Sequence, residues 1–347
     1  MKALVYHGPG KKKWEDVPKP ALEMATDAVV RITKTTICGT DLHILKGDLA
    51  TVAEGRVLGH EGIGVIEEVG TCSRFAKGDR VVISCITSCG KCGYCKRGMP
   101  SHCEQGGWIL GNTIDGTQAE FVRIPFADSS LYPIPEGAEE DAMVMLSDIL
   151  PTGYECGVLK GCVKPGDAVA IIGAGPIGLS ALLTTQFYAP SNIIVIDLDD
   201  NRLEVAKQLG ATEVINSTDG KAVDKVMALT AGKGVDVAIE AVGMAATFGI
   251  CQEIVGAGGH IANIGVHGAS VTLHLEKLWS QSITITTRLV DAVTTPMLLK
   301  TVMAGRLKPK QLITHHFTLD DIVNAYETFG NAGRERALKV ILTGNQM

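Results

Sequence analysis

Four cysteines fall within the short stretch CGKCGYCKRGMPSHC: Cys89, Cys92, Cys95 and Cys103. Disulfides, a thiol redox pair and a metal-ligand set all use cysteines at such density, and the metal could be zinc or an iron–sulfur cluster. The spacing C-x2-C-x2-C-x7-C lets four thiolates wrap one tetrahedral ion at metal–sulfur distances of about 2.3 Å. Gly90, Gly93 and Gly98 permit the tight backbone, and Lys91, Lys96 and Arg97 offset the thiolate charge. A site closed by four thiolates has no open position, so the expectation is a structural zinc.

A second set lies upstream. TICGTDLHILKG supplies Cys38, Thr40, Asp41 and His43, and RVLGHEGIGVIEEVG supplies His60 and Glu61. A catalytic zinc takes three protein ligands and keeps one position free. Cys38 and His60 alone do not make a site; the acids and hydroxyl beside them give the pair weight.

A third set binds phosphate. GDAVAIIGAGPIGLSALLTTQFY reads as a buried strand over 168–172, a turn Gly173-x-Gly175-x-x-Gly178, and a helix. Glycines at those places allow the turn, the approach of a pyrophosphate and close helix–strand packing. A second apolar strand, NIIVID, ends at Asp197, 19 residues after Gly178. An acid there accepts hydrogen bonds from ribose hydroxyls and repels the 2′-phosphate of NADP, so NAD is the expected cofactor. Arg202 follows shortly after.

These residues need a scaffold. From about 152 to 292, apolar strands alternate with helical patterns: NRLEVAKQLGA, EVINS, AVDKVMALTAG, VDVAIEAVG, TFGICQEIVGAGG and HIANIGV. TFGICQEIVGAGG reads as a helix ending in glycines, with HIANIGV as the next strand. Such alternation predicts an α/β, doubly wound parallel sheet. The first 150 residues differ, with short β runs and many glycine turns. The last 55 are mixed and end in the strand ALKVIL.

Composition narrows the function classes. The chain has 347 residues, which suits two domains, and a net charge of −6, which argues against a nucleic-acid partner. No apolar run is long enough to span a bilayer. MKALVYHGPGKKKW enters a strand-like run with no signal-peptide core, so the expectation is a cytoplasmic protein with reduced thiols.

The order GHEGIGVIEEVG, four-cysteine lobe, GAGPIG and acid-ended strand resembles the zinc-containing medium-chain alcohol dehydrogenases over nearly the whole chain. The resemblance implies a GroES-like, mainly β catalytic domain over 1–151, carrying the structural zinc lobe 89–103. A Rossmann NAD-binding domain over 152–292 interrupts it, and a return segment over 293–347 completes it. The resemblance also implies two Zn2+ per chain and Cys38 and His60 as ligands of the catalytic one. Many members carry a cysteine four residues before a TGY stretch; MLSDILPTGYE has Asp148 there, as the bacterial secondary-alcohol dehydrogenases do. Those relatives typically lack the cysteine lobe and often use NADP, whereas this chain keeps the lobe and an NAD-type acid.

Further roles follow from the resemblance. Glu61 is either an exchanging fourth ligand or a carboxylate paired behind the ligands. Asp41 orients His60. Thr40 touches the substrate oxygen, and His43 is either the outer end of a proton relay or a plain surface histidine. Ile86 and Trp108 line the substrate pocket, unless Trp108 is a core residue. Pro176, Ile177, Thr152, Arg202, Val242, Gly265 and Val266 join the cofactor contacts. Cys72, Cys85, Cys156, Cys162 and Cys251 are read as small apolar residues. The implied activity is hydride transfer between NAD and a small-molecule alcohol, secondary or broad in range, giving a ketone or aldehyde. A polyol or threonine dehydrogenase is the alternative within the superfamily, and a non-catalytic NAD-binding relative the alternative outside it. The resemblance implies a homotetramer, with SVTLHLEKLWSQSITITTRLV as a candidate contact surface.

Overall fold

A computed structural model describes residues 1–344. The chain divides into two compact units, 1–148 together with the segment from Asp291 onward, and Ile149–Val290. The divisions fall a few residues ahead of those expected at 151 and 292.

The first unit opens with an antiparallel hairpin, β1 (Lys2–Tyr6) and β2 (Lys12–Asp16). It continues through β3 (Ala28–Thr36), β4 (Gly62–Val69), β5 (Arg80–Ile83), β6 (Phe121–Ile124) and β7 (Leu131–Pro133). The second unit holds β8 (Ala168–Ile172), β9 (Asn192–Asp197), β10 (Glu213–Asn216), β11 (Val235–Glu240), β12 (Val255–Asn263) and β13 (Thr284–Thr287). The chain then re-enters the first unit with β14 (Ile313–Thr318) and β15 (Lys339–Thr343).

The second unit's sheet is parallel, in the order β10-β9-β8-β11-β12-β13. The first strand, β8, lies inside and the chain winds outward on both sides, as expected of a doubly wound dinucleotide fold. Helices on the faces bury both sides of the central strands, so AVAII and NIIVID read as continuous apolar runs. Ala170, Ile172, Ile194, Ile196, Ala238, Phe248 and Ile261 share one core.

One element departs from expectation. The helix starting at Ala245 stops at Ile254, and Val255–Asn263 is all strand. Gly256, Gly258 and Gly259 belong to β12, not to a helix end. Three glycines in four residues forfeit helix propensity. Gly258 sits at φ +78°. A side chain on Gly234, itself at φ +78°, would strike the Ile254 carbonyl at 2.5 Å, so the neighbouring strand approaches here too closely for anything but glycine.

The first unit's main sheet runs β14-β15-β3-β4-β5-β7, with β6 also paired to β3. All its pairs are antiparallel except β14–β15. Val30, Ile66, Val81, Val122 and Leu131 form a core between these strands. A second core joins Leu4, Ile37, Ile44 and Leu58 to Tyr326, Phe329, Val340 and Leu342 of the return segment. The return segment is therefore an integral part of the first unit, and β15 hydrogen-bonds to β3 just ahead of Cys38.

Candidate functional site

Cys38 follows β3 and caps the helix Gly39–Lys46. Asp41, at the third helical position, reaches back to accept the Cys38 N–H at 2.9 Å. That contact fixes where the thiol points, because it satisfies a helix-start donor and locks the cap. Gln118 Nε2 donates to the same Asp41 oxygen at 3.0 Å, and Tyr326 donates to Gln118 Oε1 at 2.7 Å. His60 comes from the chain entering β4, and Asp148 is the last residue before the second unit.

The structure brings Cys38, His60, Glu61 and Asp148 together, all buried, with one possible ligand atom from each within 4.8 Å of the others. His60 Nε2 lies 3.3 Å from Asp148 Oδ2, and Cys38 Sγ lies 4.0 Å from it. These are the edges of a tetrahedron around an ion bonded at about 2.0–2.3 Å. Burial drives the Cys38 thiol upward, with Glu61 adding to the shift. Burial opposes protonation of His60, but Cys38 and Asp148 outweigh it and hold the imidazole well above its usual value. Glu61 is also pushed upward by burial, against the pull of Lys339. Its Oε1 is buried without a hydrogen-bond partner. A buried thiol, imidazole and two carboxylates with an orphaned oxygen are a donor set that fits a divalent cation.

The other Glu61 oxygen pairs with Lys339 of β15 and accepts from Thr36 Oγ1. Lys339 is 1% exposed and also donates to the Ile37 carbonyl at 3.3 Å. Burial works against its charge, but Glu61, Cys38 and Asp148 outweigh it and keep the ammonium protonated. Asp41 Oδ1 stands 3.9 Å from His60 Nδ1, too far for the hydrogen bond expected between them; the Asp41 bonds go to Cys38 and Gln118 instead.

Thr40 Oγ1 lies 3.7 Å from Cys38 Sγ. His43 pairs its Nδ1 with Asp48 at 2.8 Å near the surface. The Trp108 ring meets His60 edge-on with centroids 6.1 Å apart, and its Nε1 has no hydrogen-bond partner. Ile86 is buried in the same unit. Cys85, expected to be a bystander, places its Sγ 3.5 Å from Asp148 Oδ1. Cys156 and Cys251 are buried, whereas Cys72 and Cys162 are exposed and are not core residues.

Cys89, Cys92, Cys95 and Cys103 converge as a second four-ligand group. No pair among them is bonded; Cys92 and Cys95 sulfurs are 3.5 Å apart. Backbone N–H groups face the sulfurs: Cys89 to Cys103 at 3.2 Å, Cys92 to Cys89 at 3.4 Å, and Cys95 to Cys92 at 3.5 Å. Donation from the Cys95 N–H leads the lowering of the Cys92 thiol to about 6. Such donors favour thiolate at Cys92, the form that binds metal, whereas burial pushes Cys95 up to about 12 and Cys103 upward too. Ser101, beside the lobe's last cysteine, bonds Asp291 at 2.6 Å through its hydroxyl.

In the second unit, Gly173 has φ +106°, and a side chain on Gly178 would meet the Gly173 carbonyl at 1.8 Å. Around Gly175 the space is open, with only Arg202 Nη1 at 4.0 Å from where a Cβ would stand. Gly175 caps the helix Pro176–Thr185, whose first turn includes Ile177. A free helix start beside open backbone is a place for phosphate. Asp197 Oδ2 accepts the Ala174 N–H at 2.6 Å, and Oδ1 accepts from Leu198 and Asp199 at 2.7 and 3.0 Å. The acid thus sits against the glycine turn. Thr152 ends the helix Ile149–Thr152, and the following turn packs on Pro176–Thr185, where a side chain on Gly153 would strike the Ala181 nitrogen at 2.7 Å. Val242, Gly265 and Val266 lie just beyond the ends of β11 and β12.

Sequence reasoning missed Lys339, Gln118, Tyr326 and Cys85. Only Lys339 carried a signal: a lysine inside the otherwise apolar strand ALKVIL has to be paired.

Comparison with known proteins shows the family. Residues 24–136 match the family model for the alcohol dehydrogenase GroES-like domain, and residues 176–303 match that for zinc-binding dehydrogenases. An alcohol dehydrogenase of Cupriavidus necator is 38% identical over 368 aligned positions, covering 99% of this chain and 98% of that one. The solved zinc-dependent alcohol dehydrogenase 2 from Streptococcus pneumonia, in its apo form, is 55% identical with a TM-score of 0.96, covering 100% of this chain and 99% of that one. The alcohol dehydrogenase TADH from Thermus sp. ATN1 is 36% identical with a TM-score of 0.92, covering 99% of this chain and 100% of that one.

The Lys339–Glu61 pair yields a direct test. Lys339→Met should destabilise the protein by about 3–5 kcal/mol in urea unfolding, because it strands a buried carboxylate. Adding Glu61→Gln should restore at least half of that loss. A double variant as unstable as the single one would mean that Lys339 acts by packing alone.

Proposed function

The chain belongs to the zinc-dependent medium-chain alcohol dehydrogenases, and from that premise we propose that it oxidises small secondary alcohols to ketones with NAD, using one catalytic and one structural zinc. The observation that carries this reading is the buried Cys38–His60–Asp148 triangle with Glu61 behind it. One thiolate, one neutral imidazole and one carboxylate would hold Zn2+ with no net charge. The lobe cysteines would hold the second ion. Zinc, when bound, lowers the pKa of the alcohol and polarises the carbonyl in reverse, while nicotinamide exchanges the hydride.

This chain's residues supply the rest. Thr40, beside Cys38, would relay the substrate's hydroxyl proton, accepting it while giving its own onward through the cofactor ribose. His43, held by Asp48 near solvent, passes it outward. Trp108, edge-on to His60, narrows the space to small or medium substrates, and Ile86 joins it in lining the pocket. Lys339 holds Glu61 to one side, leaving one Glu61 oxygen free to approach the metal position. Asp197 selects NAD, because its carboxylate is fixed at the ribose end of the glycine turn and repels a 2′-phosphate; Arg202, near Gly175, is placed to meet the pyrophosphate side. Thiols in such sites suit the reducing cytoplasm, where we place the protein. Among the described residues no helix is long and apolar enough to cross a membrane.

We further propose a homotetramer. β13 is an edge strand of the parallel sheet, and Leu275 and the 79%-exposed Trp279 stand out near it. Pairing two such edges would cover them.

Elemental analysis should find two zinc ions per chain, and 2-butanol should be oxidised with NAD faster than sorbitol or threonine. Asp148→Asn should lose one of the two ions and cut kcat/KM by at least about a hundredfold, since even partners behind the ligands are worth 10–100-fold. Full zinc and near-normal turnover in that variant would refute Asp148 as the third ligand. Asp197→Ala should weaken NAD and raise the NADP-to-NAD ratio of kcat/KM by about tenfold or more; an unchanged ratio would place the ribose elsewhere. Sedimentation should give four chains per particle, and a monomer would rule out the assembly.

A further inference from the structure

Glu240, the last residue of β11, is a carboxylate with 0% exposure that the hydride chemistry does not use. It accepts the N–H groups of Val242 at 3.0 Å and Gly243 at 2.9 Å, and the Thr247 hydroxyl at 2.6 Å. Its backbone carbonyl accepts Ile264 N–H at 2.8 Å and Gly265 N–H at 3.1 Å. One residue therefore ties down the loop after β11 and the loop after β12.

His267 closes the arrangement. Its Nε2 lies 2.8 Å from Asn263 Oδ1 and 3.5 Å from Glu240 Oε2. The Asn263 amide is oriented by its own donation to the Gly265 carbonyl at 3.0 Å, so both groups facing Nε2 are acceptors. Nε2 must then carry the proton. Phe248 meets the ring edge-on at 6.1 Å. The two loops touch: a side chain on Gly243, at φ +88°, would strike the Val266 carbonyl at 2.2 Å. Above the buried cluster, Val242 and Val266 remain 41% and 55% exposed. The Val242 side chain also reaches the glycine turn, where it would clash at 2.5 Å with any Cβ on Gly173.

The place of this cluster gives it meaning. In a doubly wound sheet the ligand lies across the C-terminal ends of the strands, at the point where the winding reverses. Here that point is between β8 and β11. A dinucleotide with one ribose at Asp197, after β9, and its pyrophosphate at the turn after β8 has its other half over the ends of β11 and β12. We infer that Glu240, with His267, is a positioning residue for the nicotinamide half of the cofactor: it sets the Val242–Val266 lip rigidly in place before the cofactor arrives. A preformed lip lowers the ordering cost of binding. This inference rests on the NAD reading given above.

The test compares two probes by calorimetry, NADH and ADP-ribose, the second lacking nicotinamide. In Glu240→Gln the remaining oxygen can keep the Val242 and Thr247 bonds, but the amide nitrogen at the Oε2 position turns a donor toward the Gly243 N–H and His267 Nε2, both donors themselves, and NADH should bind about tenfold to a hundredfold more weakly. ADP-ribose should change by less than about twofold. His267→Ala, which leaves every Glu240 bond to the loop backbone in place, should act in the same direction more mildly and stands in if the first variant does not fold. Equal weakening of both probes, or weakening of neither, overturns the inference while leaving the cofactor reading intact. Wild-type protein that binds neither probe overturns the cofactor reading and the inference with it.

Discussion

The first unit is organised around a surplus of buried negative charge. Cys38, Glu61, Asp148 and Asp41 lie within a few ångströms of His60, and Lys339 is the one lysine among them. Isolated charges at such depth cost several kcal/mol each. Protons or a cation can relieve the cluster: burial pushes Cys38, Asp41 and Glu61 toward their neutral forms, and the orphaned Glu61 oxygen is one acceptor left over. Much else follows from holding these groups in register: Asp41 locks the helix cap, Gln118 and Tyr326 lock Asp41, and β15 is threaded beside β3 so that its lysine reaches Glu61.

The two units solve the same problem by different means. In the first, side chains converge on a point and must be paired. In the second, backbone does most of the positioning, and glycines mark where it comes close. Gly173, Gly178 and Gly243 each leave no room for a side chain, whereas Gly175 faces open space. The buried carboxylate of Glu240 is the exception. It acts on backbone N–H groups much as Asp41 does at its helix start, and both draw a loop around a carboxylate.

What could be read from sequence tracks how local the signal is. The lobe cysteines, the glycine turn and Asp197 are defined by spacing along a few residues, and the structure brings each set together. The parallel sheet was legible because strands buried on both faces are uninterrupted apolar runs. Asp148 was reachable only through its offset from TGY in related chains, since nothing in LSDIL itself singles out its aspartate. Lys339 lies 278 positions after Glu61, and no periodicity links them. The segment after Ile254 was misread because glycine is poor in helices and strands alike, and its conformation there is set by the close approach of Gly234. Cys85 was passed over because a lone buried cysteine carries no pattern.

The return of the chain at β15 has a consequence for biosynthesis. The nucleotide-binding unit is one uninterrupted segment, so all its strands are available as soon as it has been made. The first unit must wait: its sheet lacks β14 and β15, and Glu61 lacks its lysine, until residue 339 has been added. Contacts so distant in sequence form late and slowly. The upstream acids and thiol are thus made long before the lysine that pairs with Glu61. A chain stalled short of the last strand would hold every strand of the second unit and still leave Glu61 without its lysine.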